Sequence, residues 1–177
     1  MRLNREDAAK NRDRVVRTAS EMFRENGYDG TGIAALMKAA GLTNGAFYKQ
    51  FDDKEALIAE ATAAGLAQNA AAWDRAMDGT QDPLAALADW YLSEAHLTQR
   101  DKGCTYAALA AEAPRHQDGL RKVFDEGLRA HLALLADRAD IDQGEAIRQV
   151  SRLIGALMLA RAVSNPELAQ EILAANT

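Results

Sequence analysis

Cysteine occurs once in the 177 residues, at Cys104, so no disulfide can close within the chain and oxidation has no part in holding its fold together. Proline occurs only at Pro83, Pro114 and Pro166, aromatics are few, and the apolar–polar alternation of half-buried strands is missing. No apolar run reaches the roughly 18 to 20 residues of a spanning helix; LIGALMLARAV at 153–163 is cut by Arg161. The opening MRLNREDAAKNRDR is charged and lacks the apolar core of a secretory signal, which predicts a cytoplasmic protein without a membrane partner. What is abundant is Ala, Leu, Glu and Arg, and those residues read as an all-α chain.

The net charge of −5 argues, taken whole, against a nucleic-acid partner. Its distribution points the other way. Residues 1–54 hold ten Lys or Arg against eight Asp or Glu, whereas the rest of the chain holds eleven against eighteen. An excess of two positive charges is small, and a solvated helix face explains it as well as a phosphate-facing one.

Helical periodicity and its punctuation predict about nine helices. The first runs from Arg5 to Asn26, with Val15, Ala19, Met22 and Phe23 on one face and Gly27 as its stop. A short second helix covers 32–39, with Thr31 as its N-cap, and a third lies between Thr43 and Gln50. The fourth begins at Asp53 and continues to about Met77. Asp82-Pro83 opens a helix through Leu84, Leu87, Tyr91 and Ala95, and Lys102-Gly103 opens another that Pro114 closes. A stripe of Leu120, Phe124, Leu128, His131 and Leu135 marks a helix over 117–137. Asp142 with Glu145 reads as a capping box for 143–162, and Asn165-Pro166 starts a last short helix.

The stretch LTNGAFYKQFDDKEAL at 42–57 carries the chemistry. Two short helices joined through Ala40-Gly41-Leu42 fit a helix-turn-helix. Thr31, Thr43 and Asn44 sit at helix starts, where hydroxyls, amides and free N–H groups favour phosphate. Gly45 weakens its helix by about 1 kcal/mol relative to alanine, and close backbone approach to a duplex would justify that. Tyr48 and Lys49 lie one turn further on, and Lys54 heads the next helix, each within reach of a phosphate.

The segment TGIAALMKAAGLTNGAFYKQFDDKEAL, with RDRVVRTASEMFRENGYDG before it, resembles the DNA-binding segment of the TetR family of bacterial transcriptional regulators. Thr31, Ala40, Gly41, Leu42, Thr43, Gly45, Tyr48, Phe51, Lys54 and Glu55 stand in matching places. Met37 replaces the usual small residue, and Gln50 stands where His is frequent. The resemblance implies that Thr31, Tyr48 and Lys54 touch phosphates, that Thr43, Asn44 and Gly45 face bases or backbone, and that Phe47 and Phe51 are core. It implies a three-helix DNA-binding head at 1–52, a helical effector-binding and dimerisation domain at 53–177, and a homodimeric repressor released from a palindromic double-stranded operator by a small molecule.

A single helix-turn-helix reads one half-site, so a twin is needed to read two. Ile154, Leu157, Met158 and Arg161 of the 143–162 helix, with Leu168 and Ile172 of the last, are the expected dimer interface. Trp73, Met77, Trp90, Tyr91, His96, Cys104, Tyr106 and His131 are the expected lining of an effector cavity. Cys104 follows Gly103 at a helix start beside Lys102, features that lower a thiol pKa, so a redox- or electrophile-sensing repressor is one alternative, set against the ordinary role of a free cysteine as a small buried apolar side chain. A helical protein-interaction module without DNA binding is another. Chemistry of other kinds finds little support. GTGIAA at 30–35 fits a dinucleotide fingerprint only literally, having no strand before it. His96, His116 and His131 have no metal-ligand spacing, and no nucleophile elbow or phosphate loop appears, so neither an enzyme nor a cofactor is expected.

Overall fold

The computed structural model describes residues 5–177; residues 1–4, with the Arg2 counted above, lie outside the described residues. Helix α1 (Arg5–Asn26) turns Val15, Ala19 and Phe23 inward, as their spacing dictates. Helix α2 (Ile33–Ala39) follows, and its end shows why glycine stands at 41: Gly41 adopts φ +70°, letting Leu42 N–H reach the Met37 carbonyl at 2.8 Å and its own N–H reach Lys38 at 3.0 Å. This pair of bonds is a Schellman closure, which satisfies the terminal carbonyls and swings the chain into the next element. That element, Asn44–Lys49, is a short 3-10 segment rather than an α-helix.

Helix α3 (Lys54–Ala76) is capped by the Asp53 carboxylate, which accepts from Ala56 N–H at 2.8 Å. The helix expected from Pro83 onward stops early. It divides into α4 (Pro83–Tyr91) and α5 (Glu94–Thr98), because the Ser93 hydroxyl caps a new start by accepting from His96 N–H. Helix α6 (Thr105–Leu109) has no cap of its own; Asn69 of α3 supplies one, accepting from Thr105 N–H at 2.8 Å while donating to the Gly103 carbonyl at 3.1 Å. A 3-10 turn at Ala113–Arg115 leads to α7 (Asp118–Ala139), α8 (Gln143–Ala162) and α9 (Pro166–Ala174). Among the described residues there is no strand, and no helix is long and apolar enough to cross a membrane.

Two apolar clusters organise the molecule. One gathers Val15, Phe23, Tyr28, Leu36, Met37, Phe47 and Phe51 around Leu57 and Ile58 of α3, and takes in Leu109, Ala113 and Leu120. The other holds Trp73, Leu87, Tyr91, Leu135, Val150, Leu153 and Leu157. Helix α3 and the partly buried Phe124 belong to both. Leu128, expected on the buried stripe of α7, is exposed. The stripe passes through Gly127 instead, where an added Cβ would lie 2.6 Å from Leu66 Cδ1, so α3 and α7 meet at that missing side chain.

Polar links fasten the first helices to the rest. Arg12 donates to both carboxylate oxygens of Glu60, at 3.2 and 2.5 Å, and stacks 4.3 Å over the Phe51 ring. His116 meets Glu55 at 2.9 Å, and Tyr28 N–H donates to Glu112 at 3.0 Å.

Candidate nucleic-acid interface

The 3-10 segment is anchored by Phe47, which is fully buried and stacks on Phe51 with ring centroids 5.5 Å apart. With that anchor inside, Gly45 and Tyr48, which share another side of the three-residue turn, face out. Thr43, Asn44, Gly45, Tyr48 and Lys49 are all exposed. Tyr48 stands 68% exposed, its ring edge-on to Phe47 at 5.1 Å, so an aromatic side chain is held toward solvent. A Cβ added at Gly45 would meet nothing within 4 Å. Nothing among the described residues therefore requires glycine there.

Two expected residues sit differently. Thr31 is 2% exposed, and its hydroxyl donates to the carbonyls of Gly27 at 3.1 Å and Met22 at 3.3 Å. The N-cap of α2 is Gly32, not Thr31, because the threonine side chain is spent on closing the end of α1. Lys54 is half-buried and donates to the Tyr28 carbonyl at 2.7 Å, leaving its remaining ammonium protons free to donate. Gln50, at the departure from the usual pattern, buries an unpartnered Oε1.

The residues expected around an effector cavity are mostly a filled core. Trp73 meets Tyr91 edge-on at 5.9 Å and His131 at 4.7 Å, and Tyr106 meets His131 at 5.3 Å. These rings interlock, and Trp73, Met77, Tyr91, Cys104 and Tyr106 are buried together in one apolar cluster. His131 reaches a cleft of 190 Å³ between α3 and α7, while Trp90 and His96 border a separate one of 160 Å³. Sequence reading missed the walls of the first cleft, although Ala63, Ala67 and Ala70 repeat at helical spacing.

Cys104 takes the buried of the two roles open to it. It is 1% exposed, and burial pushes its thiol pKa up, against the lowering expected from its neighbours. His96 fixes the segment, its Nε2 accepting from Cys104 N–H at 2.8 Å and its Nδ1 lying 2.8 Å from the Tyr91 carbonyl, to which it donates. Burial first, and the charge of Arg161 second, lower the His96 pKa to about 4.

The expected interface residues separate. Leu157 is fully buried in the chain's own core, and Arg161 donates to the carbonyls of His96 at 2.5 Å and Leu97 at 3.2 Å. Ile154 and Ile172 are half-buried. Met158 and Leu168 are exposed, joined by Ile147 and by Leu159, which is 60% exposed. Leu159 and Ile147 were not among the residues expected at the interface, since α8 has apolar residues on more than one face and periodicity alone does not say which face is covered.

Residues 15–61 match the model of the bacterial regulatory proteins, tetR family. The chain is 32% identical over 165 residues to an uncharacterised HTH-type transcriptional regulator of Mycobacterium tuberculosis, covering 85% of this chain and 84% of that one. It is 25% identical over 138 residues to the HTH-type transcriptional repressor NemR of Escherichia coli, covering 76% and 69%. The reduced form of E. coli NemR has the same fold, with a TM-score of 0.79 at 21% identity over 95% of each chain. A tetR-family regulator from Agrobacterium tumefaciens gives 0.78 at 16%, over 95% and 96%.

Proposed function

We propose that this chain, which belongs to the tetR family of bacterial regulatory proteins and is a transcriptional regulator, acts as a homodimeric repressor that leaves its operator when a small molecule binds the helical body. The observation that carries the reading is the exposed run Thr43, Asn44, Gly45, Tyr48 and Lys49, mounted on the buried Phe47. Asn44 and Thr43 offer side-chain amide and hydroxyl to base edges, Gly45 lets the backbone approach the groove, and Tyr48, Lys49 and Lys54 bind phosphates. Thr31 acts from behind, by holding the turn that presents α2. Residues 1–52 form the reading head in this account, and 53–177 the responsive body.

A monomer reads one half-site, so the body must pair. Ile147, Met158, Leu159 and Leu168 are large apolar side chains left in water along α8 and α9. Laying a twin against them would cover these side chains and build a four-helix contact. Sedimentation of a Leu159→Glu variant tests this: a dimer that dissociates supports it, and an unchanged dimer places the contact elsewhere.

Small-molecule release is favoured over thiol chemistry because Cys104 is buried and its thiolate disfavoured. NemR is a named repressor described in a reduced form, so redox sensing stays the second reading. Operator release by peroxide that is lost in Cys104→Ser would promote it to first.

A further inference from the structure

The cleft between α3 and α7 has walls of Leu66, Ala67, Ala70, Val123 and Ala130, with His131 reaching into its lining. Its volume, 190 Å³, lies below the roughly 300 to 1,000 Å³ of pockets for drug-sized ligands, so it suits a small one. Glu126 is the one charged residue in that lining, and it is exposed to solvent. Walls of alkyl groups penalise any ligand that carries net charge.

His131 sets the polar requirement. Its Nδ1 lies 2.8 Å from the Gly127 carbonyl, which can only accept, so Nδ1 carries the proton. The Tyr106 hydroxyl, 3.1 Å away, approaches the same nitrogen. Burial lowers the pKa of the ring and keeps it neutral. Nε2 is left as a bare acceptor, buried and without a partner, on a side chain 1% exposed. Buried polar atoms of this kind are rare in folded proteins and ask for a donor.

We propose that this cleft binds a small uncharged alcohol or phenol, its apolar body between α3 and α7 and its hydroxyl donating to His131 Nε2. The inference rests on the reading of the body as ligand-responsive and narrows it to one chemical class. Nε2 is itself buried, so a ligand in the cleft would reach it by turning a wall side chain, a common adjustment at binding sites. Trp73, edge-on to His131 at 4.7 Å, would register the event.

The test uses 4-ethylphenol and ethylbenzene, which share a body and differ by the hydroxyl. Titrated into the full chain by calorimetry and tryptophan fluorescence, 4-ethylphenol binds once per chain, roughly tenfold tighter than ethylbenzene, as one hydrogen bond to a buried acceptor implies. His131→Phe keeps a ring and removes the acceptor, and binds the two probes alike. Ala67→Phe, at an exposed wall position, fills the cleft and abolishes binding of both while circular dichroism stays unchanged. No saturable binding, equal affinity for the two probes, discrimination that survives His131→Phe, or indifference to Ala67→Phe overturns the proposal. DNA release is scored separately. If 4-ethylphenol meets every binding criterion yet leaves the DNA complex intact, the effector reading falls and the site stands; if another compound releases the DNA while 4-ethylphenol does not bind, the site falls and the effector reading stands.

Discussion

Arg24 Nε donates to the Asp101 carbonyl at 2.6 Å, tying the last turn of α1 to the loop between α5 and α6. The same guanidinium donates through Nη1 to Ser20 Oγ at 2.9 Å, and the whole residue is buried. Burial, the largest influence, lowers its pKa, but the partners keep the cation satisfied. Arg24→Met would keep the stem and strand the Asp101 carbonyl, at a cost of about 1 to 3 kcal/mol. The melting temperature is expected to fall by about 2 to 4 °C per kcal/mol; an unchanged melt would mean that the loop finds other partners.

Tyr48 and Lys49 are expected to act on DNA and not on folding. Both are exposed, so Tyr48→Ala with Lys49→Ala should melt as the parent does while losing affinity for every duplex and flattening the salt dependence of binding. Thr31→Val should do the reverse: its buried hydroxyl serves two carbonyls, so stability falls by about 1 kcal/mol. Anisotropy titrations at several salt concentrations, beside thermal melts, separate the two behaviours.

Gly45→Ala gives a sharper contrast. The added methyl meets open space within the chain, so the fold is expected to hold or gain slightly. Affinity for the operator should nevertheless fall by tenfold or more, because the methyl enters the space that the backbone shares with the groove. Full affinity in this variant would leave Gly45 without a role at the DNA.

Stability should decline as pH falls from neutral. His96 is held neutral when folded, with a pKa of about 4 against 6.5 for a free histidine, and burial lowers that of His131 in the same sense. Between those values the unfolded chain binds more protons than the folded one. The stability tied to His96 is thus present above about pH 6.5, is lost on the way down to pH 4, and amounts to about 3 kcal/mol. Denaturant midpoints from pH 7 to 4.5 check the slope, and His96→Gln, whose amide both donates and accepts, should reduce it.

Cys104 is expected to react slowly. Its burial and raised pKa predict that alkylation of the native chain is on the order of a hundredfold slower than in denaturant, with opening as the slow step. Equal rates in the two states would restore the sensing alternative.

Local signals carried most of the fold. Asp53, Asp82, Asp142 and Asn165 each cap the helix whose start they were expected to mark, because an acceptor side chain before an apolar run acts over two or three residues. What the sequence did not disclose depends on distant partners. Asn69 caps α6 from 36 residues away, and Gly127 matters only because Leu66 fills its place. The same holds for the expected site residues. The sequence left Cys104 open to an activated or a buried role, and packing decides for the buried one. Thr31 sits where a helix start favours phosphate, yet two carbonyls nearby in space claim its hydroxyl.

The central claim, that the head reads a duplex and a twin holds a second head at matching distance, is tested most directly by selecting sequences from a random duplex pool with the purified full chain and weighing the resulting complex. The account predicts an enriched palindrome whose half-sites lie about one helical turn or a multiple apart, two chains or a multiple of two on each duplex, and affinity that drops steeply with salt. A pool that shows no enrichment at low ionic strength, with a chain that sediments as a monomer, would contradict it.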